Sequence, residues 1–472
     1  MEILSRHLRI ICSQQQVSYH PKCSKLRLTH LIFADDLMIF IRGDLPSVLA
    51  DKYALDHFAL RSVLRANLEK TEIYFGGVSS SVKQLILNQT NFVEGSFPFR
   101  YLGAPLNTAR TTADMYAGLM SKIMHSIQHW SVNLLTYAGK VQLLNSVIFG
   151  LHYYWSSSVL MPKIVINQIN KLCKTFFWSS DNKNRFVFKS WSSSCFPWSE
   201  GGFDIREVLA WNKALLANLL WRLDQKSREI WSTWVHSYYF SNNNIWDITP
   251  SSTHSDSFKS ILKIWDQSIT TLGNVQNAQQ WLRNCASSAR FSVSRAYDLF
   301  RLKGPHLPWS RVLKSMDVIP SHGIISMLTG QRKLPTVDAL CSRSICLVNR
   351  CVLCKSCSES HRHLFFNCSF SKAIWHDLLR WMCVSRKSSD LILELYWTQR
   401  RGHKKHWKTN WFWGSLSAAV YFIWHERNLR IFEGRERSIA QIIQSIKYVV
   451  AIRCLALANP SNVDIVVESL NR

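Results

Sequence analysis

Apolar residues along this chain change their spacing several times. Leu31-Ile32-Phe33 and Leu37-Met38-Ile39-Phe40 are short apolar runs on either side of Ala34-Asp35-Asp36, which predicts a hairpin with two adjacent carboxylates at its turn. Up to about residue 110 the pattern reads as strands and turns around one or two helices, ending at Gly103-Ala104-Pro105. From 111 to 180 the spacing turns helical, with Met120, Ile123, Met124 and Ile127 on one stripe and Val141, Leu144, Val147 and Ile148 on another. A polar, Ser-rich stretch over 181–205 contains Gly201-Gly202 and predicts a loop before a new element. Arg206 to Leu223 is helical again, with Trp211, Ala214, Leu215 and Asn218 as neighbours. Ser241 to Ser257 is a second polar stretch, expected to be a loop or linker. Beyond it, Phe291-Ser292-Val293 predicts a short strand entering a helix that reaches Phe300. Trp411-Phe412-Trp413 and Tyr421-Phe422-Ile423-Trp424 have helical spacing and are expected in a core. The pattern predicts an α+β chain with its strands early and helices through the rest.

Composition adds a partner class. The chain has 472 residues, enough for about three domains, and 47% of them are hydrophobic, which excludes disorder throughout. Its net charge of +26 favours a polyanionic partner, because Lys and Arg neutralising phosphates supply most non-specific nucleic-acid affinity. No run of eighteen uninterrupted apolar residues occurs, and Tyr448-Val449-Val450-Ala451-Ile452 stops at Arg453, so no membrane partner is expected. Residues 1–11 lack a secretory signal pattern, which leads to an intracellular expectation with reduced cysteines. The 13 cysteines are an odd number, and five fall between Cys341 and Cys357.

That crowding points to metal. Cys351-Val352-Leu353-Cys354, then His363 and Cys368, have the spacing C-x2-C-x8-H-x4-C, four donors able to close tetrahedrally on Zn²⁺. Four protein donors leave no position for a substrate water, so such a zinc is expected to be structural. Cys357 and His361 lie in the same loop and could replace Cys354 or His363. A second cluster, Arg400-Arg401-Gly402-His403-Lys404-Lys405-His406-Trp407-Lys408, sets cations beside an indole, a composition suited to a nucleic-acid backbone with occasional base stacking.

Several segments, in order, resemble the plant LINE-type, non-LTR retrotransposon reverse transcriptases. Tyr19-His20-Pro21-Lys22-Cys23, Leu28-Thr29-His30, Phe33-Ala34-Asp35-Asp36, Asn67-Leu68-Glu69-Lys70-Thr71-Glu72 and Phe99-Arg100-Tyr101-Leu102-Gly103-Ala104-Pro105-Leu106 are similar to that family's palm. Trp130 with Leu134-Leu135-Thr136-Tyr137-Ala138-Gly139-Lys140 resembles its thumb region. Cys351, Cys354, Glu359, His363-Leu364-Phe365-Phe366 and Cys368 follow the order of its zinc-binding domain, in which Cys357 has no counterpart. Tyr421 to Asn428 resembles its Ile-Trp-x-Glu-Arg-Asn segment, whereas Trp198 stands where the family usually has Lys.

The resemblance implies a partial palm over 1–110, a helical thumb-like region over 111–180 and a helical connection with a polar linker over 181–290. It further implies a zinc-binding domain over 291–385 and a basic, aromatic helical region over 386–472. Asp35 and Asp36 would be polymerase metal ligands. Two-metal phosphoryl transfer needs carboxylates from more than one segment, and the family's fingers and first palm Asp precede the hairpin. They do not fit into residues 1–34, so the palm is expected to be truncated and unable to polymerise alone.

The expected function is therefore that of a retroelement-derived fragment with structural Zn²⁺ that binds RNA or DNA, through Lys70, Arg400, Arg401, Lys404, Lys405, Trp407 and Lys408, in the nucleus. The alternatives are a domesticated, non-catalytic nucleic-acid-binding or interaction protein, and an RNA-directed DNA polymerase completed by another chain or segment. Mg²⁺ is expected only in the last case.

Overall fold

The computed structural model describes residues 2–107, 112–130, 135–178, 187–240, 244–287, 290–315, 318–342, 344, 348–401, 407–457 and 467. Helices carry most of these residues, and the strands among them form four two-stranded sheets, so the chain is α+β with helix dominant. Backbone contacts divide it into two compact units. One comprises 1–118, 153–165 and 211–300, the other 119–152, 166–210 and 301–472.

In the first unit, α1 (Glu2–Ser13) buries Leu4, Leu8, Ile11 and Cys12, one face at helical spacing. It packs against α2 (Leu45–Ser62). Asp44 caps α2 by accepting from Ser47 N–H at 2.9 Å, and Pro46 sits in its first turn. Between these helices in sequence, His30–Phe33 (β1) and Asp36–Ile39 (β2) pair antiparallel, with Phe33 opposite Asp36. A third helix, Ser80–Thr90, exceeds the one or two that the early pattern predicts. It buries only Ile86 and Thr90, too sparse a stripe to signal helix. Farther along, Asp256–Leu272, capped by Ser255, and Val275–Asn284, capped by Asn274, close a core around Leu220, Leu223, Phe258, Ile261 and Leu282.

The second unit centres on one helix. Pro320–Gly330 (α3), Ser369–Trp381 (α4), Leu391–Arg401 (α5) and Ile439–Leu457 (α7) all pack on Trp407–Asn428 (α6). This helix buries Trp411, Phe412, Trp413, Leu416, Ala419, Val420 and Ile423, so apolar residues surround it, as expected for a core helix. Tyr421 is only partly buried and stacks on His322 of α3, ring centroids 4.2 Å apart. In the helix Ala117–His129 the buried residues are Leu119 and Ile123. Met124, expected on that stripe, is exposed because the buried line runs in steps of four and leaves it about 100° to the side.

By length and composition α7 is apolar enough to cross a membrane. Its apolar run is interrupted by Gln441, Gln444, Ser445, Lys447 and Arg453. In the fold it buries Ile442, Ile446, Val450 and Cys454, every fourth residue, and packs on α4 and α6. Lys447 Nζ pairs with Asp377 of α4 at 3.0 Å.

Candidate metal centre

The loop from Cys351 to Cys357 folds back on itself. Lys355 N–H donates to Cys351 C=O at 2.8 Å, and Cys351 N–H donates to Cys357 C=O at the same distance. Lys355 adopts a left-handed φ of 59°, which turns the chain directly after Cys354. A one-turn helix, His361–Leu364, then begins at Ser360, whose hydroxyl accepts from His363 N–H at 3.1 Å. Cys368 N–H donates to His363 C=O at 2.6 Å and carries the chain into α4. These turns bring together the Sγ atoms of Cys351, Cys354 and Cys368 and a ring nitrogen of His363, all within 4.8 Å of one another.

The donor set fits zinc. Zn–S bonds of about 2.3 Å at tetrahedral angles place two sulfurs about 3.8 Å apart. Cys351 Sγ and Cys368 Sγ are 4.0 Å apart, and Cys354 Sγ lies 3.4 Å from His363 Nε2. His361 points elsewhere, its Nε2–H donating to Leu334 C=O at 2.8 Å, and Cys357 is exposed outside the group.

Local hydrogen bonds favour thiolate at Cys354. Burial raises the Cys354 thiol, but the Ser356 hydroxyl and N–H, the Cys357 N–H and His363 outweigh it and bring Cys354 down to about 5. Burial likewise lowers His363, yet its hydrogen bonds to Cys354 and Cys351 leave it above its ordinary value. The hydrogen bond between Cys351 and Cys368 pushes Cys351 up and Cys368 down.

Asp35 and Asp36 lie exposed at the end of the β1–β2 hairpin, Asp35 with Ala34 in its two-residue loop. Ala34 holds a left-handed φ of 53°, a conformation that costs an L side chain on the order of 1–2 kcal/mol. His30 anchors the hairpin base, its Nδ1 2.7 Å from Thr29 Oγ1 and its Nε2 2.8 Å from Ser5 Oγ on α1. Among the described residues, no third His, Cys or acidic side chain converges on the two aspartates.

The expected nucleic-acid contacts are only partly visible. Lys70 is exposed in a turn, and Arg400 is exposed near the end of α5. The backbone of Arg401, Trp407 and Lys408 is helical, whereas Lys404 and Lys405 lie outside the described residues. Beside the knuckle, Lys355 pairs with Glu436 at 2.9 Å and Arg350 Nε donates to Lys355 C=O at 2.6 Å.

Sequence reasoning missed two features. Asp51 of α2 is buried with Oδ1 unpartnered among the described residues, and burial pushes its carboxyl up to about 7. Burial first, and Asp51 second, push the nearby Cys12 thiol up to about 11. The other is a buried ion pair, Arg427 with Glu359, that joins α6 to the loop between Cys354 and His363, beside a local pair of Glu426 with Arg430. The four-residue spacing of Glu426 and Arg430 was its only sequence signal.

Residues 291–375, which include all four donors, match the family described as zinc-binding in reverse transcriptase. The chain is also 27% identical over 137 residues to an Arabidopsis thaliana protein named as a ribonuclease H protein. That match covers 29% of this chain and 22% of the relative, so the chain spans less than a quarter of the relative's length. An uncharacterised mitochondrial protein of Arabidopsis thaliana is 24% identical over 115 residues, 24% of this chain and 75% of that protein. The chain thus carries a reverse-transcriptase-related zinc-binding segment.

Proposed function

We propose that this chain is a LINE-type, plant retroelement-derived protein in which structural Zn²⁺ organises a basic, helical nucleic-acid-binding module. The carrying observation is the convergence of Cys351, Cys354, His363 and Cys368 within 4.8 Å, inside the segment that matches the zinc-binding family. Zinc held there would cross-link the 351–357 loop to the start of α4, a link that a small local core does not supply. Because all four positions are filled by protein atoms, the site offers shape and not catalysis.

The net charge of +26 supports a phosphate-bearing partner, RNA or DNA, and a nuclear location. Lys70 and the cations from Arg400 to Lys408 are the proposed contacts, with Trp407 as a stacking surface. A polymerase reading draws on the hairpin alone. Its strained Ala34 presents Asp35 and Asp36 to solvent, as a metal-ligating turn would. In this reading the two aspartates would hold Mg²⁺ only with a further carboxylate from another segment or chain.

The test uses purified protein. Metal analysis should give one zinc per chain, and binding to labelled RNA and DNA should weaken by orders of magnitude between about 50 and 200 mM salt. Zinc near zero before and after metal loading, or a flat salt response, defeats the corresponding half of the proposal.

A further inference from the structure

One guanidinium touches both halves of the metal centre. Arg430, just beyond α6, donates through Nη1 to the carbonyls of Val352 and Leu353 at 3.3 and 3.4 Å. Those are the two residues between Cys351 and Cys354. The same group lies over the Phe370 ring, 4.7 Å from its centroid, two residues past Cys368. Its side chain is only 7% exposed, so these contacts form in a nearly dry environment.

Neighbouring residues hold Arg430 in that pose. Its Nε donates to Glu426 Oε1 at 2.8 Å, and its Nη2 donates to Arg437 C=O at 3.2 Å. Glu426 is fully buried and also accepts from Arg437 N–H at 2.8 Å and Arg437 Nε at 2.9 Å. Arg427, three residues before Arg430, grips the loop between the two halves of the donor set. It donates to both oxygens of Glu359, and its Nη2 also donates to Pro335 C=O at 3.2 Å. Glu359 further accepts from Val337 N–H at 2.8 Å.

We propose that residues 426–437 are a latch for the metal centre and that Arg430 is its positioning residue. Metal binding and latch docking are then two readings of one equilibrium. The proposal rests on the reading that the four donors bind metal. Charge supports it: three thiolates and a neutral imidazole around a divalent ion sum to −1, while the four Arg and three Glu of residues 426–437 sum to +1. A fork that holds the Val352 and Leu353 carbonyls fixes where the Cys351 and Cys354 sulfurs point, the role outer partners play at metal sites. The latch lies well past residue 375, where the matched segment ends.

Co²⁺ tests this in the full chain, since tetrahedral thiolate-bound Co²⁺ has its own absorption bands. Titration of Arg430→Ala should show the same bands with affinity weakened about 10–100-fold, and Arg430→Lys should restore part of the loss. A folded Arg430→Ala protein that binds Co²⁺ as tightly as the parent overturns the latch. If Arg430→Ala does not fold, the parent protein decides through reciprocity, because a bound metal must stabilise the latch as much as the latch stabilises the metal. Amide exchange over 426–437 should then slow on adding Zn²⁺ to chelator-stripped protein. Unchanged exchange with zinc bound overturns the proposal. Absence of Co²⁺ bands in the parent removes the metal reading itself, and the latch falls with it.

Discussion

Arg427 and Glu359 lie 68 positions apart and form an ion pair sealed from solvent, with Nη2 2.9 Å from Oε1. A buried charge without its partner is far more costly than an exposed one, so this pair makes α6 and the loop before His363 depend on each other. Arg427→Met should destabilise the second unit by about 3–5 kcal/mol. Adding Glu359→Gln to that variant should return part of the loss, because no lone carboxylate remains buried. Denaturant unfolding of the two variants measures both effects, and equal stability losses would contradict the pairing.

The donor set makes a sharp distinction between neighbouring cysteines. Cys351→Ser removes a buried donor and should abolish stoichiometric zinc, with loss of much of a contribution that reaches about 10–16 kcal/mol in zinc-finger peptides. Cys357→Ser should leave zinc content and unfolding unchanged, since that sulfur is exposed outside the group. Metal analysis of both variants, with thermal unfolding before and after chelation, reads the difference. Zinc retained in Cys351→Ser but lost when Cys357→Ser is added would show that Cys357 substitutes for it.

Asp51 gives the first unit a pH dependence. Its carboxyl ionises near 3.8 in an unfolded chain and at about 7 in the fold, because burial disfavours the charge. Between those values the folded protein keeps a proton that the unfolded chain has lost. Stability therefore falls as pH rises from about 4 through 7, by up to about 4 kcal/mol for this group. Asp51→Asn should flatten that slope. Parallel unfolding curves of the two proteins across this window would show that Asp51 does not titrate as described.

The parts legible in sequence were those that local spacing encodes. The apolar runs around Asp35-Asp36 announced the hairpin, and the Cys-x2-Cys, His, Cys spacing announced four donors that the fold brings together. Spacing could not separate His363 from His361. That choice depends on a distant acceptor, Leu334 C=O, which turns His361 away. Nor could it pair Glu359 with Arg427, because those charges meet through tertiary packing that no local period records, whereas Glu426 and Arg430 stand four residues apart, a spacing the sequence does show. The helix α7 showed a different limit. Its charged residues interrupt the apolar run, yet its buried face repeats cleanly every fourth residue.

Asp35→Ala separates the two readings of the hairpin. If the aspartates only close a turn, primer extension on an RNA template should be the same for parent and variant, and any incorporation comes from a contaminant. Incorporation that depends on Mg²⁺ and vanishes in Asp35→Ala would establish the polymerase reading.

Nucleic-acid affinity should divide among the basic residues by counting. Each Lys or Arg that neutralises one phosphate releases condensed counterions, so each removed contact lowers the salt slope by about 1. Replacing Arg400, Arg401, Lys404, Lys405 and Lys408 with Gln should therefore lower the slope by several units and weaken RNA and DNA alike. Trp407→Ala should act differently. A lost stacking surface costs about 1–3 kcal/mol for single strands and leaves the salt slope nearly unchanged. Affinities of the parent, the five-residue variant and Trp407→Ala, measured over a range of salt on single- and double-stranded probes, distinguish these contributions. A slope that the five substitutions do not alter would move the phosphate contacts away from this segment, toward Lys70 and the remaining basic surface.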